Sequence, residues 1–370
     1  MKVLVTGADG FVGRNLRVSL SERPVREALA VTRATTAGEL REAIAVADAV
    51  IHLAGVNRPT DPAEFTTGNA DFTARLCEAL RDAGRAIPIA FASSIQAERD
   101  NPYGRSKRAA EEHLQRYASE TGAQVALYRL PNVFGKWCRP DYNSAVATFC
   151  HNLARGLPIR IDDPAAVVRL VHVDDVVAEL LRFLSDPAQR AGIVGVTPEY
   201  MSTVGELARQ IGAFGEVRRS LVTERVGDGL VRALYATYVS YLPPEAFGYA
   251  VPKHEDERGM FVEMLKTKDS GQFSFFTAHP GVTRGGHYHH SKTEKFLVVQ
   301  GRARFRFRHV VTGETHELET DAAAPTIVET IPGWAHDITN VGAGEMAVML
   351  WANEIFDRAR PDTIAAKVLP

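Results

Sequence analysis

The segment from Gly281 to Gly301, GVTRGGHYHHSKTEKFLVVQG, restricts the fold of this chain more than any other stretch. His287 and His289 are two residues apart, so on a β-strand both imidazoles point to the same face. Glu294 follows them, and His336 follows one hairpin later in PGWAHDITN. Three imidazoles and a carboxylate suit zinc, iron, nickel or manganese. The segment therefore predicts strands that gather around a divalent metal.

The glycine frame of this segment resembles the cupin pattern. Gly281 precedes five residues, His-x-His, four residues, Glu294, six residues and Gly301, as in cupins. The metal ligands that the resemblance implies are His287, His289, Glu294 and His336, with zinc as the expected ion. Two alternatives stay open, which are a histidine-rich surface hairpin without a metal and a metal that only stabilises the barrel.

Short β-rich runs continue on both sides of the metal segment. The runs are MFVEML, QFSFFTA, EKFLVVQ, RARFRFRHV, THELET, PTIVETI and EMAVMLWA. Alternating apolar residues separated by turn signals predict an all-β cupin barrel, or jelly roll, over residues 244–370. The stretch YLPPEAFGYAVPKHEDERG (241–259) is rich in proline and glycine, so we expect it to connect this barrel to a preceding domain.

The first 135 residues alternate apolar runs with amphipathic segments. KVLVTG, ADAVIHLAG, IPIAFASS and QVALYRL are β-rich, and their uninterrupted apolar character predicts a parallel, doubly wound, Rossmann-like α/β sheet. Residues 136–242 are less regular and predict a small substrate lobe over the carboxyl edge of that sheet. Its expected helices lie around 143–155, 174–185 and 203–213. We assign residues 1–243 to one domain and residues 244–370 to the other.

A glycine-rich turn, GADGFVG, joins the first strand to a predicted helix. Glycine permits the tight turn and lets the backbone approach a pyrophosphate, whose charge is favoured by the helix N-terminus. The turn predicts a dinucleotide site at Gly7, Gly10, Phe11, Val12 and Gly13. A sharp glycine turn that binds nothing is the alternative.

Arg33 ends the second predicted strand, ALAVTR. NAD-binding proteins usually place an acidic residue there, on the ribose hydroxyls, whereas an arginine suits a 2′-phosphate. We therefore expect NADPH rather than NADH as the cofactor. A surface arginine at a strand end is the alternative.

Tyr103 and Lys107 in YGRSK are four residues apart and therefore share one face of a helix. The lysine ammonium can lower the pKa of the tyrosine, so that the phenol acts as a general acid or base near a carbonyl. Ser94 in FASS can hydrogen-bond the same oxygen, with Ser93 as the fallback. A chance occurrence of this pair on an amphipathic helix is the alternative.

Residues 1–240 resemble the extended short-chain dehydrogenase/reductase family. The matching stretches are GADGFVG, DAVIHLAG (48–55), FASS, YGRSK, RLPNVFG (129–135) and LVHVDDVV (170–177). The resemblance implies that Tyr103 donates a proton to a ketone oxygen and that Lys107 binds the nicotinamide ribose. It also implies that Leu53 and Ala54 border the cofactor.

Arg129 and Asn132 lie in the matching stretch RLPNVFG. Both are candidates for contacts around the sugar or the diphosphate. A structural role at the end of a strand is equally expected for them.

Nearly the whole chain is similar to the bifunctional capsular-polysaccharide enzymes of the CapF/WbjC type. The matching stretches include SSIQAERDNPYGRSK, PGVTRGGHYHHSKTEKFLVVQG and LWANEIFDRARPDT. The resemblance implies that the cupin epimerises a UDP-4-keto-6-deoxy-N-acetylhexosamine at C3 and that the reductase then reduces the C4 ketone with NADPH. The implied product is UDP-2-acetamido-2,6-dideoxy-L-talose, on the route to UDP-N-acetyl-L-fucosamine. A homodimer is also implied.

The base for the epimerisation should be a side chain in the barrel that is not a metal ligand. Near in sequence are Tyr288, His290, Lys292 and Lys295. Two other interpretations stay open. In one, the cupin is an iron dioxygenase or an isomerase of another substrate. In the other, the chain is a regulatory module that joins a dinucleotide sensor to a metal-stabilised, sugar-binding cupin.

Composition excludes several other classes of protein. A net charge of -2 offers no bulk attraction to nucleic acid or to an anionic membrane. Cys77, Cys138 and Cys150 are odd in number and form no C-x-x-C, which favours a reducing compartment. No apolar run approaches the ~18 residues that span a bilayer, and the first strand leaves no room for a signal peptide. We expect a cytoplasmic protein whose partner is a UDP-sugar.

Overall fold

The computed structural model describes residues 1–23, 26–251, 254–256, 259–261, 265–267, 271–354 and 359–369. The chain divides into two compact units. The first unit comprises Met1–Ser144 and Val168–Met201, and the second comprises Ala145–Val167 and Ser202–Pro370. The assignment of domains at residues 243 and 244 stays a prediction. Within the described ranges, no helix is both long and apolar enough to cross a membrane.

The helices are α1 (Phe11–Ser21), α2 (Ala37–Val46), α3 (Ala63–Phe65), α4 (Phe72–Asp82), α5 (Pro102–Thr121), α6 (Ala145–Leu153), α7 (Val173–Ser185), α8 (Val204–Ser220) and α9 (Gly229–Ser240). A π-helical turn, Thr66–Asp71, joins α3 to α4.

The strands up to residue 223 are β1 (Lys2–Thr6), β2 (Glu27–Val31), β3 (Ala49–His52), β4 (Ile89–Ser94), β5 (Val125–Leu130), β6 (Asn132–Phe134), β7 (Val167–His172), β8 (Gly192–Val194), β9 (Glu199–Thr203) and β10 (Val222–Thr223). The later strands are β11 (Gly248–Ala250), β12 (His254–Asp256), β13 (Gly259–Phe261), β14 (Lys266–Thr267), β15 (Gln272–Ala278), β16 (Thr283–Tyr288), β17 (Glu294–Gln300), β18 (Arg302–His309), β19 (Thr315–Asp321), β20 (Thr326–Glu329), β21 (Trp334–Asn340), β22 (Met346–Ala352) and β23 (Ile364–Ala365).

The first unit is built on a parallel sheet with the strand order β2-β1-β3-β4-β5-β8. Successive side chains of a strand point to opposite faces, so Val3 and Val5 enter one hydrophobic cluster while Leu4 enters another. Both faces of the sheet are therefore buried, which confirms the predicted doubly wound α/β fold. The strand order reverses between β1 and β3, and ligands bind outside the carboxyl ends of the strands at such a point.

Helix α5 begins where the sequence signals its start. Asn101 caps the helix by accepting a hydrogen bond from the Gly104 backbone N–H at 2.8 Å, and Pro102 occupies the first helical position. The helix ends at Gly122, whose φ of 74° is in the left-handed region. The cap places Tyr103 in the first turn of the helix.

The second unit contains two antiparallel sheets, with the strand orders β11-β20-β17-β22-β15 and β19-β18-β21-β16-β23. Aromatic side chains fill the space between them. The Phe296 ring from β17 lies 5.7 Å from the Phe305 ring of β18, centroid to centroid. The Phe247 ring is 5.3 Å from Phe307 and 5.0 Å from Trp334. The predicted cupin barrel is confirmed.

Helices α6, α8 and α9 belong to the same unit as the barrel. The Phe214 ring of α8 lies 5.1 Å from Tyr235 and 5.9 Å from Tyr238 of α9. Helix α8 extends to Ser220, beyond the predicted end at 213. Helix α9 was not predicted, because every residue from Ala233 to Val239 is buried and an all-round apolar helix shows no amphipathic period.

One predicted strand boundary was wrong, and one predicted connection contains a strand. Strand β2 ends at Val31, so Arg33 lies in the following turn rather than at the strand end. Within the predicted connection at 241–259, Gly248–Ala250 forms β11 and pairs with β20, so part of this stretch belongs to the barrel. Of the predicted strand MFVEML, residues 262–264 lie outside the described residues, as do 355–358 in LWANEIFDRARPDT.

Candidate nucleotide site and metal centre

The glycine turn of the first unit lies tightly against the end of β3. Gly7 has a φ of 67°, and a Cβ atom on it would lie 2.7 Å from the Ala54 backbone nitrogen. A Cβ atom on Gly13 would lie 2.3 Å from the Gly7 carbonyl oxygen. Both contacts are closer than side-chain carbons allow, so this turn requires glycine at both positions. The turn lies against the backbones of Leu53 and Ala54, whose contact with a cofactor stays a prediction.

The other predicted cofactor residues flank this turn. Gly10 caps α1 without a side-chain hydrogen bond, which leaves the first backbone N–H groups of the helix to a ligand. Phe11 and Val12 are half-buried and pack against the hydrophobic cluster under the turn. Arg33 is exposed in the turn that follows β2.

Tyr103 and Ser94 are brought together as predicted. The Ser94 side chain lies near enough to influence the Tyr103 phenol, and the Ser94 hydroxyl accepts the Gln96 backbone N–H at 3.1 Å. Burial raises the pKa of Tyr103 above its usual value, and Ser94 opposes that shift. The lowering of the Tyr103 pKa by Lys107 stays a prediction, since burial of the phenol is the largest influence and acts in the opposite direction. A phenol that stays protonated suits a general acid.

Lys107 lies on the buried face of α5. Its ammonium donates to the Ala92 carbonyl oxygen at 2.8 Å and lies 4.6 Å from the centroid of the Phe91 ring. Burial lowers the pKa of Lys107 to about 8, although the Glu111 carboxylate opposes the shift. The lysine is therefore held in one place at the carboxyl end of β4.

The fallback Ser93 and the candidate Arg129 both serve the buried carboxylate of Glu111. The Ser93 hydroxyl donates to Glu111 Oε1 at 2.5 Å, and the Arg129 guanidinium pairs with Glu111 Oε2 at 2.7 Å. Arg129 also pairs with Glu98 at 2.9 Å. These bonds favour the structural alternative for Arg129 over a contact with a diphosphate. Asn132 donates to the Arg169 carbonyl oxygen at 2.9 Å.

Asn69 is a residue of this site that sequence reasoning missed. It is buried in the π-helical turn, exchanges hydrogen bonds with the Val56 backbone, and donates to Ser106 at 2.9 Å. A Cβ atom on Gly55 would lie 2.8 Å from the Asn69 amide oxygen and 3.3 Å from the Lys107 ammonium. The π-helical turn is the structural feature that points to Asn69, because such turns are frequent at functional sites.

The second unit brings all four predicted metal ligands together. The ligand atoms of His287, His289, Glu294 and His336 lie within 4.8 Å of one another. His287 pairs with His336 across β16 and β21, next to a bulge at Gly285, and Glu294 begins β17. The Glu294 Oε2 atom is 3.1 Å from His289 Nε2 and 3.6 Å from His336 Nε2.

The hydrogen bonds of these imidazoles indicate that a cation belongs between them. His289 Nδ1 lies 2.5 Å from the Asp362 carbonyl oxygen, and His336 Nδ1 lies 3.4 Å from that of Trp334. Because a carbonyl only accepts, Nδ1 carries the proton, and both Nε2 lone pairs then face the Glu294 carboxylate. Among the described atoms, the buried His336 Nε2 has no hydrogen-bond partner of normal geometry. A divalent ion would satisfy this cluster of acceptors, so the residues fit a metal.

The charge states of the cluster also suit a metal. Burial lowers the pKa of His287 to about 3, and the neighbouring imidazoles of His336 and His289 add to the shift. Burial likewise lowers the pKa of His336. Although burial opposes it, the neighbouring imidazoles of His289 and His336 hold the pKa of Glu294 well below its usual value. Metals bind neutral imidazole and ionised carboxylate, which are the forms favoured here.

The four candidates for the epimerisation base differ in their surroundings. Lys292 pairs with Glu294 Oε1 at 2.9 Å, directly beside the metal ligands. Lys295 is fully buried and pairs with Glu329 in a cluster with Tyr249, away from the ligand atoms. The Tyr288 ring is buried and lies 5.6 Å from the ring of His290. These contacts give Lys295 a structural role and place Lys292 in direct contact with a candidate metal ligand.

Comparisons with known proteins agree with both halves of this description. Residues 3–195 match the NAD dependent epimerase/dehydratase family, and residues 254–364 match the polysaccharide biosynthesis C-terminal domain. The chain is 60% identical over 368 residues to the UDP-2-acetamido-2,6-beta-L-arabino-hexul-4-ose reductase of Pseudomonas aeruginosa, covering 100% of this chain and 99% of the relative.

Solved structures show the same similarity. The capsular polysaccharide assembling protein CapF from Staphylococcus aureus is 40% identical, with a TM-score of 0.69 and coverage of 100% of both chains. MoeE5 in complex with UDP-glucose and NAD is 26% identical, with a TM-score of 0.52, over 58% of this chain and 81% of that chain.

Proposed function

This chain belongs to the NAD dependent epimerase/dehydratase family and to the CapF type of capsule enzyme, and from that premise we propose that it reduces a UDP-linked keto sugar for surface polysaccharide synthesis. The name of the Pseudomonas aeruginosa relative supports a UDP-hexulose as the substrate. The observation that carries the proposal is the placement of the buried Ser94 near the Tyr103 phenol, with Lys107 buried on the same helix as Tyr103.

For the reduction step, bound NADPH would supply the hydride that is added to C4 of the sugar. Tyr103 donates the proton to the C4 oxygen, since burial keeps the phenol protonated. Ser94 holds that oxygen by hydrogen bonding. The glycine turn has no room for side chains at Gly7 and Gly13, which supports a close approach of the pyrophosphate to the backbone there. The exposed Arg33 supports a preference for the 2′-phosphate.

We extend the proposal to epimerisation at C3 in the barrel. His287, His289, Glu294 and His336 would hold a divalent ion, with zinc as our proposal, and the ion would polarise a carbonyl oxygen. A base removes the proton next to the ketone, and the return of a proton on the opposite face inverts the carbon. Epimerisation followed by reduction gives UDP-2-acetamido-2,6-dideoxy-L-talose, on the route to UDP-N-acetyl-L-fucosamine. The homodimer stays a prediction.

The test separates the two steps in one assay. Freshly prepared UDP-4-keto-6-deoxy-N-acetylhexosamine is mixed with NADPH and protein in D₂O, and products are analysed by mass spectrometry and NMR. The wild-type chain should consume NADPH and incorporate deuterium at C3. Tyr103→Phe should slow NADPH consumption by roughly 10²- to 10⁴-fold, because the proton donor is lost, while C3 exchange continues.

The matched variant for the other step is His336→Gln, which removes one metal ligand. It should abolish deuterium incorporation at C3, while reduction of a substrate supplied already epimerised continues. NADPH consumption without deuterium at C3 in the wild-type chain would leave a reductase with a supporting cupin. No consumption, with NADPH bound, would instead favour a sensor.

A further inference from the structure

The Asp362 carboxylate accepts four hydrogen bonds from the turn between His289 and Glu294. Neither proposed reaction step uses Asp362. Its Oδ1 atom accepts the His290 backbone N–H at 2.8 Å. Its Oδ2 atom accepts the backbone N–H groups of Ser291 and Lys292, each at 2.7 Å, and the Ser291 hydroxyl at 3.2 Å. One carboxylate therefore satisfies three successive backbone donors between His289 and Glu294.

The backbone of Asp362 also contacts His289, one of the candidate metal ligands, directly. The Asp362 carbonyl oxygen accepts the Nδ1 proton of His289, which leaves Nε2 as the atom that faces Glu294. Just beyond, β23 pairs with β16, so that Ala365 lies opposite His287. The Ala366 backbone N–H then donates to the Gly286 carbonyl oxygen at 2.9 Å. The C-terminal segment thus braces both histidines of the His-x-His pair.

We propose that Asp362 is a positioning residue for the metal centre, which shapes the turn at residues 289–292 and sets the tautomer and orientation of His289. The inference rests on the metal proposed above. Partners that orient a metal-bound histidine typically contribute about 10- to 100-fold to metal affinity. The bonds to Asp362 are charge-assisted and come from three backbone donors at once, so removal of the carboxylate leaves those donors without an acceptor.

Asp362→Ala and Asp362→Asn test this inference together. An asparagine has nearly the same volume, but its amide NH₂ group would face at least one backbone N–H that now donates to a carboxylate oxygen. We expect both variants to raise the dissociation constant for zinc by about 10- to 100-fold, with asparagine at the low end of that range. Zinc affinity is measured on the full chain by competition with a chromophoric chelator, and the visible spectrum of the cobalt-loaded chain reports the coordination geometry.

Asp321 offers a matched control in the same barrel. Its Oδ1 atom accepts the backbone N–H groups of Ala323 and Ala324, each at 2.8 Å, at a turn that carries no metal ligand. Asp321→Ala should lower the melting temperature of the metal-free chain but leave zinc affinity within about twofold of wild type. If Asp362→Ala does not fold, the zinc affinities of Asp362→Asn and Asp321→Ala still test the role of Asp362.

The outcomes distinguish the two proposals. Wild-type affinity in Asp362→Asn would overturn the role of Asp362, as would an equal loss of affinity in the Asp321 variant. A wild-type chain that binds neither zinc nor cobalt would instead overturn the metal centre itself.

Discussion

At the residue scale, the buried carboxylate of Glu111 shows why two candidates for chemistry have structural roles. It lies within the first unit, where Ser93 donates to its Oε1 atom and Arg129 donates to both of its oxygens. The sequence could not separate these roles, because Ser93 and Arg129 meet beside Glu111 only when strands β4 and β5 pair and α5 packs on them. Pairing within the fold decided that Ser93 hydrogen-bonds the buried Glu111 carboxylate and that Arg129 neutralises it.

We predict that Arg129→Met lowers the free energy of unfolding by about 3–5 kcal/mol, because Glu111 would become a buried charge without its main partner. The matched control is Arg169→Met, whose partner Glu199 is an exposed residue at the surface. That variant should lose no more than about 1 kcal/mol. Urea unfolding of the two variants measures the difference, and equal losses would contradict the assigned role of Arg129.

At the element scale, α5 illustrates what local sequence can predict about a site. Asn101, Pro102 and Gly122 define its ends, and the spacing of Tyr103 and Lys107 sets their common face. Helix α9 is the opposite case, because its buried residues carry no periodic signal. Its Arg232 side chain donates to Ser291 at 2.9 Å and to Glu354 at 2.5 Å. No pattern in the sequence predicts these contacts.

The cap of α5 should matter for activity as well as for stability. Asn101→Ala is expected to lose about 0.5–2 kcal/mol of stability, because the Gly104 N–H loses its acceptor. It should also lower the kcat of the reduction, since Tyr103 lies in the same helical turn. Thr36→Ala removes the cap of α2 and should lose similar stability with kcat unchanged. Denaturant unfolding and NADPH oxidation are compared, and an unchanged kcat in Asn101→Ala would refute the coupling.

At the scale of the whole molecule, the barrel shares its unit with helices that precede it by many residues. Arg218 of α8 pairs with the buried Glu329 of β20, which also pairs with Lys295. Asn353, at the end of β22, is buried and bonds to the Val226 carbonyl oxygen at 3.4 Å. A cut at residue 243 would remove Arg218 from Glu329 and Val226 from Asn353.

We therefore predict that residues 244–370 expressed alone show no cooperative thermal transition. The fragment 145–370 contains every residue of the second unit and should melt cooperatively. Differential scanning calorimetry of both fragments provides the test, with zinc present in each sample. Cooperative melting of the shorter fragment at the temperature of the longer one would contradict this prediction.

The sequence by itself predicted the two folds, the glycine turn, the tyrosine–lysine helix and the four candidate metal ligands, because most of these depend on residue types at short, regular spacings. Only the tertiary structure decided the rest. Burial raises the pKa of Tyr103, and Arg129 pairs with Glu111. Asp362 binds the turn at residues 289–292 from about 70 residues away in the sequence. Burial and pairing across the fold depend on contacts between distant segments, which local patterns do not encode.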